Sequence, residues 1–197
     1  MNKLLLSASV ALGSTSLAYA QQTEKPNFVL FIADDCSHYD LGCYGSVDSK
    51  TPNIDRFATQ GVRFTQAYQA VPMSSPTRHN LYTGLWPVRS GAYPNHTCAD
   101  EGTLSVVHHL QPLGYKVALI GKSHIAPESV FPFDLYVPSL KGGDLNFEAI
   151  QKFVSDCKAK GDPFCLFVAS NQPHTPWNKG DASQFNADKL TLPPMYV

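Results

Sequence analysis

The chain has 197 residues, of which 43% are hydrophobic and 16% charged, so it can bury a core and is not a disordered chain. That length suffices for one α/β domain of ordinary size but hardly for two. The formal net charge of −1, from 15 Lys and Arg against 16 Asp and Glu, provides no basic surface for a nucleic-acid backbone. After the first twenty positions no run of about 18 apolar residues occurs, which argues against a later membrane-spanning helix.

The first twenty residues have the layout of a secretory signal peptide. A short positive start that ends at Lys3 precedes the apolar stretch 4–11, and small residues close the segment at Ala18-Tyr19-Ala20. We expect cleavage after Ala20. The sequence therefore predicts a mature domain over residues 21–197 that is secreted or periplasmic.

Three apolar runs predict the strands of a sheet. Each has six or seven residues with little alternation, which is typical of strands buried on both faces of a parallel sheet; they cover residues 27–33, 115–120 and 164–169. Helices are predicted between them, with a start at Pro52 and a stop at Gly61, over 104–113 and over 144–160. The last has an apolar stripe of Leu145, Ile150, Phe153, Val154 and Cys157. This alternation predicts an α/β fold with a mostly parallel sheet flanked by helices.

The C-terminal stretch from Gln172 to Val197 is rich in Pro, Asn, Asp and Lys and predicts neither strand nor helix. It ends in a segment with the composition of a loop. Because a domain rarely ends on an unpacked loop, we expect the domain to be incomplete at its C-terminus.

Disulfide bonding is limited by an odd number of cysteines, which stand at Cys36, Cys43, Cys98, Cys157 and Cys165. Complete pairing within one chain is therefore impossible. Whether Cys157 and Cys165 pair in an oxidising compartment is left open by the sequence.

Two adjacent carboxylates, Asp34 and Asp35, follow the first predicted strand. Open parallel sheets bind ligands at the carboxyl ends of their strands. Carboxylate oxygens are hard ligands that suit Ca²⁺ or Mg²⁺ better than zinc. The alternative is a solvated turn, in which Asp-Asp pairs are common.

A serine stands before a predicted helix that runs from about Pro76 to Thr83. The helix N-terminus concentrates positive potential near Ser74, which favours an anion there. Arg78, one turn further on, is able to reach back toward that anion. Taken alone, the pattern favours the common arrangement of a serine cap and a surface arginine.

The stretch from Ser74 to Gly84 resembles the sulfatase signature, which reads Cys or Ser, any residue, Pro, Ser or Thr, Arg, and then Leu-x-Thr-Gly. Further matches occur in the family's order, at residues 26–35, 41–45, 51–55, 121–124 and 173–176. The chain is therefore similar to the N-terminal part of a sulfatase, within the alkaline phosphatase superfamily. The resemblance implies the fold of that superfamily's catalytic domain.

This resemblance implies a nucleophile and a metal site. Ser74 matches the position that a formylglycine-generating maturase oxidises to formylglycine, an aldehyde whose hydrate is the nucleophile. Asp34 and Asp35 match ligands of a single divalent ion, usually Ca²⁺, which the Ser74 position also contacts. A plain serine would be left as a stable sulfate ester, so turnover requires the modification.

Four further residues are assigned to the sulfate pocket by the same resemblance. Arg78 and Lys122 match groups that hold the formylglycine and the sulfate, where cations absorb the charge of the transition state. His124 and His174 match histidines that line the pocket, one of them a proton donor to the leaving group. For these residues the alternatives are a solvated lysine at a strand end and ordinary loop histidines.

The stretch from Gly121 to Asp134 goes beyond the general signature and resembles sulfamidases, which remove N-linked sulfate from glucosamine in heparan sulfate. It implies N-sulfoglucosamine sulfohydrolase activity on heparan sulfate or a heparin-derived saccharide. The alternatives are an O-sulfatase acting on another sulfated polysaccharide, a phosphonate or phosphate monoester hydrolase of the superfamily, and a non-catalytic glycan-binding relative if Ser74 is never oxidised.

The family completes its metal site with a later Asp-Asn or Asp-His pair and adds a lysine beyond it. After His174 the only Asp and Lys residues are Lys179, Asp181, Asp188 and Lys189, and none follows an apolar strand. The resemblance therefore implies that the 197-residue chain alone binds metal weakly and has no appreciable sulfatase activity.

One remaining pattern, Asn95-His96-Thr97, matches the Asn-x-Ser/Thr glycosylation sequon. A serine at the nucleophile position indicates a bacterial source, in which the sequon has no meaning. The sequence assigns this segment no role.

Overall fold

The computed structural model describes residues 24–191, so the predicted signal peptide over residues 1–20 lies outside the described residues. A four-stranded sheet runs through this part in the order β1-β4-β2-β3, and every neighbouring pair is parallel. Its strands are β1 (Phe28–Asp34), β2 (Lys116–Gly121), β3 (Leu135–Val137) and β4 (Phe164–Pro173). The prediction of an α/β fold with a parallel sheet is confirmed, but the three-residue β3 is too short to have given a sequence signal.

Five α-helices lie between and around these strands: α1 (Pro52–Ala58), α2 (Ser74–Thr83), α3 (Pro87–Ser90), α4 (Val106–Leu110) and α5 (Phe147–Lys160). Helix α2 begins at Ser74, two residues before the predicted start. Helix α4 is shorter than predicted, because a 3₁₀ turn over Gln111–Leu113 follows it. Within the described residues, no helix combines the length and apolarity needed to cross a membrane.

Two hydrophobic clusters cover the two faces of the central strands. Because side chains alternate along a strand, Val117 and Leu119 of β2 face one cluster while Ala118 and Ile120 face the other. Helix α5 covers the second face with Phe153 and Cys157, as its apolar stripe predicts, and the ring of Tyr82 fills the first. The prediction of strands buried on both faces is therefore confirmed for β2 and for the first part of β4.

The disulfide left open by the sequence does not form. Cys165 belongs to the cluster on one face of the sheet and Cys157 to the cluster on the other. All five cysteines are free thiols. Burial raises the pKa of the Cys165 thiol to about 11, so this group is a core side chain rather than a reactive thiolate.

Strand β1 departs from the prediction of a strand buried on both faces. Val29 is 62% exposed and Phe31 is 59% exposed, whereas Asp34 at the end of the strand is 4% exposed. The reason is positional, since β1 is an edge strand of the described sheet and β4 is its one extensive neighbour among the described elements. Apolar runs indicate a strand reliably, but they do not say which strand lies at an edge.

Tyr82 gives the core a pH dependence that can be tested. Tyr82 is 1% exposed, and burial raises the pKa of the phenol to about 12 from its usual value of about 10, although the charge of Arg78 opposes this rise. Because the folded pKa lies above the unfolded one, the stability is intact below about pH 10 and is lost as the pH rises toward 12. We expect Tyr82 alone to lower the free energy of unfolding by about 1.4 kcal/mol between about pH 8 and about pH 11, a loss that Tyr82→Phe removes.

Urea unfolding at these two pH values measures the effect. Tyr68→Phe is the matched control because Tyr68 is 87% exposed, and it should keep the alkaline loss of the unmutated chain. An equal alkaline loss in Tyr82→Phe and in the unmutated chain would contradict the assignment.

Candidate active site

A buried carboxylate lies at the carboxyl end of β1, between two cations from other elements. Asp34 Oδ1 accepts a hydrogen bond from Arg78 Nη2 of helix α2 at 3.3 Å, and its Oδ2 accepts one from Lys122 Nζ at 2.5 Å. Lys122 follows β2 directly, and its backbone N–H donates to the carbonyl of Ala169 on β4 at 2.8 Å. The parallel order β1-β4-β2 brings the ends of these strands together, which is why residues 34 and 122 meet.

The guanidinium of Arg78 links the nucleophile candidate to this carboxylate. Arg78 is 2% exposed, and its Nε donates to Ser74 Oγ at 3.1 Å while its Nη1 donates to the carbonyl of Lys122 at 3.3 Å. Ser74 and Arg78 stand four residues apart on α2, so they share one helix face. The surface arginine and the solvated lysine considered from the sequence are both wrong, because the Lys122 side chain is 15% exposed and paired with Asp34.

A pocket of about 300 Å³ opens beside these groups, and its lining includes Asp34, Asp35, Ser74 and Arg78. Asp34 neutralises one of its two cationic neighbours, and the N-terminus of α2 adds positive potential at Ser74. Helix N-termini and arginine forks are the groups that bind tetrahedral oxyanions in proteins. The pocket therefore suits an anionic group placed next to the Ser74 hydroxyl.

His174 lies at the rim of this site rather than within the pocket lining. Its Nδ1 donates to the carbonyl of Thr175 at 2.8 Å, and its Nε2 lies 3.7 Å from Asp35 Oδ2. Asp35 has a positive φ of 57°, an uncommon conformation for a residue with a side chain. The structure thus joins His174 to the second carboxylate, and not directly to Ser74.

His124 is placed by a loop with a left-handed backbone, φ 52°, just after Lys122. Its Nε2 lies 2.7 Å from Nδ1 of His96, while its own Nδ1 is buried and has no hydrogen-bond partner among the described residues. Burial is the main cause that lowers the pKa of His124, followed by the charges of Lys122, His96 and Arg78. The imidazole is therefore favoured in its neutral form near neutral pH.

Three site residues were missed by the sequence reasoning. Asn95 and His96 bridge the start of α2 to His124, and the sequence pattern they belong to suggests only a glycosylation sequon. His79 is fully buried, with Nδ1 2.8 Å from the carbonyl of Ser75 and Nε2 3.2 Å from the N–H of Ala126, so it fastens α2 to the loop that carries His124. No spacing rule marks the contacts of Ser75 with Asn95, of His96 with His124 or of His79 with Ala126, because they join segments remote in sequence.

The described residues do not form a complete calcium site. Asp34 and Asp35 are hard oxygen donors of the right type, but Ca²⁺ takes six to eight oxygens and both oxygens of Asp34 are engaged by Arg78 and Lys122. Within residues 24–191, no group of three or more His, Cys, Asp or Glu side chains is placed to hold a metal ion. The donors present here are therefore at most part of a metal site.

The stretch 121–134, which carries the resemblance to sulfamidases, is largely structural. Val130 and Phe131 are 1% and 4% exposed and belong to the core cluster. Asp134 Oδ2 accepts a hydrogen bond from the backbone N–H of Val117 at 2.8 Å, which ties the stretch to β2. Most of this pattern is explained by packing, so it says less about the substrate than its length suggests.

The site combines a buried carboxylate at the end of a parallel strand with an arginine that donates to a serine at a helix N-terminus. This combination is typical of α/β enzymes that bind anionic groups. The family model that matches the chain is "Sulfatase", and the match covers residues 26–189. The chain belongs to the sulfatase family. The resemblance seen in the sequence is thereby confirmed at the level of the family.

Relatives of known activity act on different sulfated compounds. The chain is 38% identical to an ulvan-active sulfatase of Formosa agariphila over 77% of its own length and 31% of that protein. It is 28% identical to an N-acetylglucosamine-6-O-sulfatase of Bacteroides thetaiotaomicron over 88% of its own length and 35% of that protein. The chain therefore spans about a third of the length of these relatives.

Among solved structures, the chain is similar to BT4656 in complex with its substrate D-glucosamine-2-N,6-O-disulfate. The TM-score is 0.66 at 26% identity, with 77% of this chain and 35% of that chain covered. The likeness supports the parallel α/β architecture described above. It does not separate sulfamidases from other sulfatases that act on glycans.

Proposed function

We propose that this chain is the N-terminal catalytic part of a glycan sulfatase in which Ser74, converted to formylglycine, carries the nucleophile. The observation that supports this most is the Arg78 fork, which binds Ser74 Oγ and the buried Asp34 carboxylate at once. A guanidinium in that position holds the side chain at position 74 toward the pocket. In this proposal the same cation and Lys122, which both pair with Asp34, contact the oxygens of the bound sulfate.

In this proposal each residue of the site has a task in sulfate transfer. The hydrated aldehyde supplies a nucleophilic hydroxyl for sulfur and a second hydroxyl through which sulfate is later released. Arg78 and Lys122 stabilise the charge on the sulfate oxygens as the bond from sulfur to the substrate's oxygen or nitrogen breaks. That leaving atom needs a proton, for which His174, whose Nε2 lies 3.7 Å from Asp35 Oδ2, is the candidate donor, while the neutral His124 is a candidate hydrogen-bond donor.

We propose calcium binding only for a longer protein that contains this chain. Asp34 and Asp35 would then supply carboxylate ligands, the oxygen at position 74 another, and residues outside the described range the remainder. The tasks given above to Arg78, Lys122 and the histidines do not depend on that ion.

We propose N-sulfated glucosamine, as found in heparan sulfate, as the substrate. The support is the resemblance of the stretch 121–134 to sulfamidases, and within that stretch His124 lies close enough to the site for the charges of Lys122 and Arg78 to lower its pKa. The relatives named above include a 6-O-sulfatase and an ulvan-active enzyme, so 6-O-sulfated glucosamine is the informative competitor.

Formylglycine formation is directly testable on the chain itself. When the protein is produced together with a formylglycine-generating maturase, we expect the tryptic peptide that contains Ser74 to lose two hydrogens. Fragment ions should place the change at Ser74 and not at Ser75, the neighbouring internal control. A peptide that stays unmodified with a maturase shown to be active on another sulfatase would contradict the nucleophile assignment.

Substrate choice is tested on the whole protein that contains this chain. We expect sulfate release from N-sulfated glucosamine to exceed release from 6-O-sulfated glucosamine, and Ser74→Ala to lower either rate at least about a thousandfold. Release from the 6-O-sulfated sugar alone would overturn the N-sulfate proposal and leave the sulfatase proposal intact. Faster turnover of an aryl phosphate than of the matched aryl sulfate would overturn both.

Export is the last part of the proposal, and it rests on the signal-peptide pattern over residues 1–20. Placement outside the cytoplasm would give the enzyme access to extracellular polysaccharide. N-terminal sequencing of the mature protein should begin at Gln21, and a retained Lys3 would contradict cleavage.

A further inference from the structure

A chain of hydrogen bonds runs from the first turn of α2 to His124, and its direction follows from the chemistry of its members. It begins at the backbone N–H of Ser75, which donates to Asn95 Oδ1 at 3.4 Å. Since this N–H is only a donor, it fixes which end of the Asn95 amide is the oxygen. The amide nitrogen Nδ2 of Asn95 therefore points away from α2, toward His96.

The direction then passes through both imidazole rings. Asn95 Nδ2 lies 3.1 Å from His96 Nε2, and because an amide nitrogen only donates, His96 Nε2 must accept. A neutral His96 consequently carries its proton on Nδ1, which lies 2.7 Å from His124 Nε2. His124 Nε2 must accept in turn, which leaves the His124 proton on Nδ1.

The last atom of this series of hydrogen-bonded groups has no partner among the described residues. His124 Nδ1 is buried and makes no hydrogen bond within residues 24–191. The rings of His96 and His124 lie with their centroids 4.7 Å apart, and both residues have left-handed backbones, with φ of 64° and 52°. Strained backbone at two contacting residues persists where the surroundings hold it, as at sites that need a fixed geometry.

We infer that Asn95 and His96 are positioning residues that hold His124 in the tautomer with its proton on Nδ1, so that His124 presents a neutral N–H donor toward the bound sulfated group. This inference rests on the proposed function for its purpose, but the tautomer itself is a property of the chain. It also separates the two histidines of the site. His124 enters the reaction as a hydrogen-bond donor to sulfate oxygen or leaving atom, whereas His174 is joined to Asp35.

The charge around the pair agrees with a neutral donor. Burial and the charges of Lys122, His96 and Arg78 lower the pKa of His124 and so disfavour a second proton on the ring, while the Asp34 carboxylate favours it. A neutral imidazole keeps its proton on Nδ1 when no hydrogen-bond acceptor lies beside Nε2 to draw the proton there. His96 meets this condition because it donates a hydrogen bond to Nε2 of His124. The arrangement therefore adds a donor to the pocket without adding a third positive charge.

Nitrogen-15 NMR of the imidazole rings tests the inference on the 197-residue chain, because protonated and unprotonated ring nitrogens differ widely in chemical shift. The chain has seven histidines, and the variants His124→Gln and His96→Gln identify the two sets of signals by their loss. We expect protonated Nδ1 and unprotonated Nε2 for both His96 and His124. A His124 that carries its proton on Nε2 overturns the inference.

Two variants test the cause. Asn95→Asp puts an acceptor in place of the amide donor, so the proton of His96 is expected to appear on Nε2. His96→Ala removes the lock, and we expect the Nε2-protonated fraction of His124 to rise. Unchanged His96 signals in Asn95→Asp, or an unchanged His124 tautomer in His96→Ala, would overturn the role of that residue.

The matched control is Asn146→Asp, which introduces the same charge at the cap of α5, where the side chain accepts from Ala149 N–H at 3.0 Å and an aspartate caps equally well. It should leave both imidazole patterns unchanged. The outcome is independent of activity. A confirmed tautomer, together with a whole protein that releases no sulfate, refutes the proposed function alone, and the wrong tautomer, together with a whole protein that is active, refutes this inference alone.

Discussion

Replacing Gly121 by alanine is expected to lower the free energy of unfolding by about 4 kcal/mol or more. Gly121 ends β2 with a φ of +112°, and a Cβ there would lie 1.9 Å from the backbone carbonyl oxygen of Ala169 on β4. That oxygen also accepts the hydrogen bond of the Lys122 N–H. The clash is with backbone, so no side-chain rotation relieves it, and the two strands must separate at the point where the site begins.

Urea unfolding followed by circular dichroism measures this change. Gly61→Ala is the matched control, because a Cβ at Gly61 meets no atom within 4 Å, and it should remain within about 1 kcal/mol of the unmutated chain. A Gly121→Ala protein that unfolds at the same urea concentration as the unmutated chain would show that β2 and β4 do not approach as described.

The elements of the fold were largely predictable because their signals are local. Continuous apolar runs predicted β1, β2 and β4, and the apolar stripe of α5 predicted the face that it buries. What failed depended on neighbours. The exposure of Val29 in β1 follows from the position of the strand in the sheet, and a local apolar run carries no information about position.

The site divides in the same way. Asp34, Ser74 and Lys122 stand at a strand end or a helix start, where the topology of parallel sheets places ligand sites, and the family signature assigns them chemistry. The contacts of Asn95 and His96 arise in a loop whose path is set by tertiary packing, and no periodicity or spacing announces them. The engagement of both Asp34 oxygens by cations also could not be foreseen, because it depends on side-chain geometry rather than on order along the chain.

Removal of the Arg78 guanidinium is expected to destabilise the fold by about 3 kcal/mol at neutral pH, as in Arg78→Met. Within residues 24–191, Asp34, which is 4% exposed, would keep Lys122 as its one cationic partner, and the Lys122 carbonyl and Ser74 Oγ would each lose a donor. Arg89→Met is the control, since Arg89 is an exposed arginine one helix away, and it should stay within about 0.5 kcal/mol of the unmutated chain.

A double variant measures the energetic coupling between the charges of Asp34 and Arg78. If Asp34 and Arg78 act as a pair, Asp34→Asn combined with Arg78→Met should cost at least about 1 kcal/mol less than the sum of the two single changes. Additive losses measured by urea unfolding would contradict a direct pair. Because buried ion pairs are often no more stabilising than apolar side chains of the same size, a coupled result means that Asp34 chiefly offsets the burial of Arg78. The guanidinium is then held in the core for its contact with Ser74, which is a requirement of the site and not of the fold.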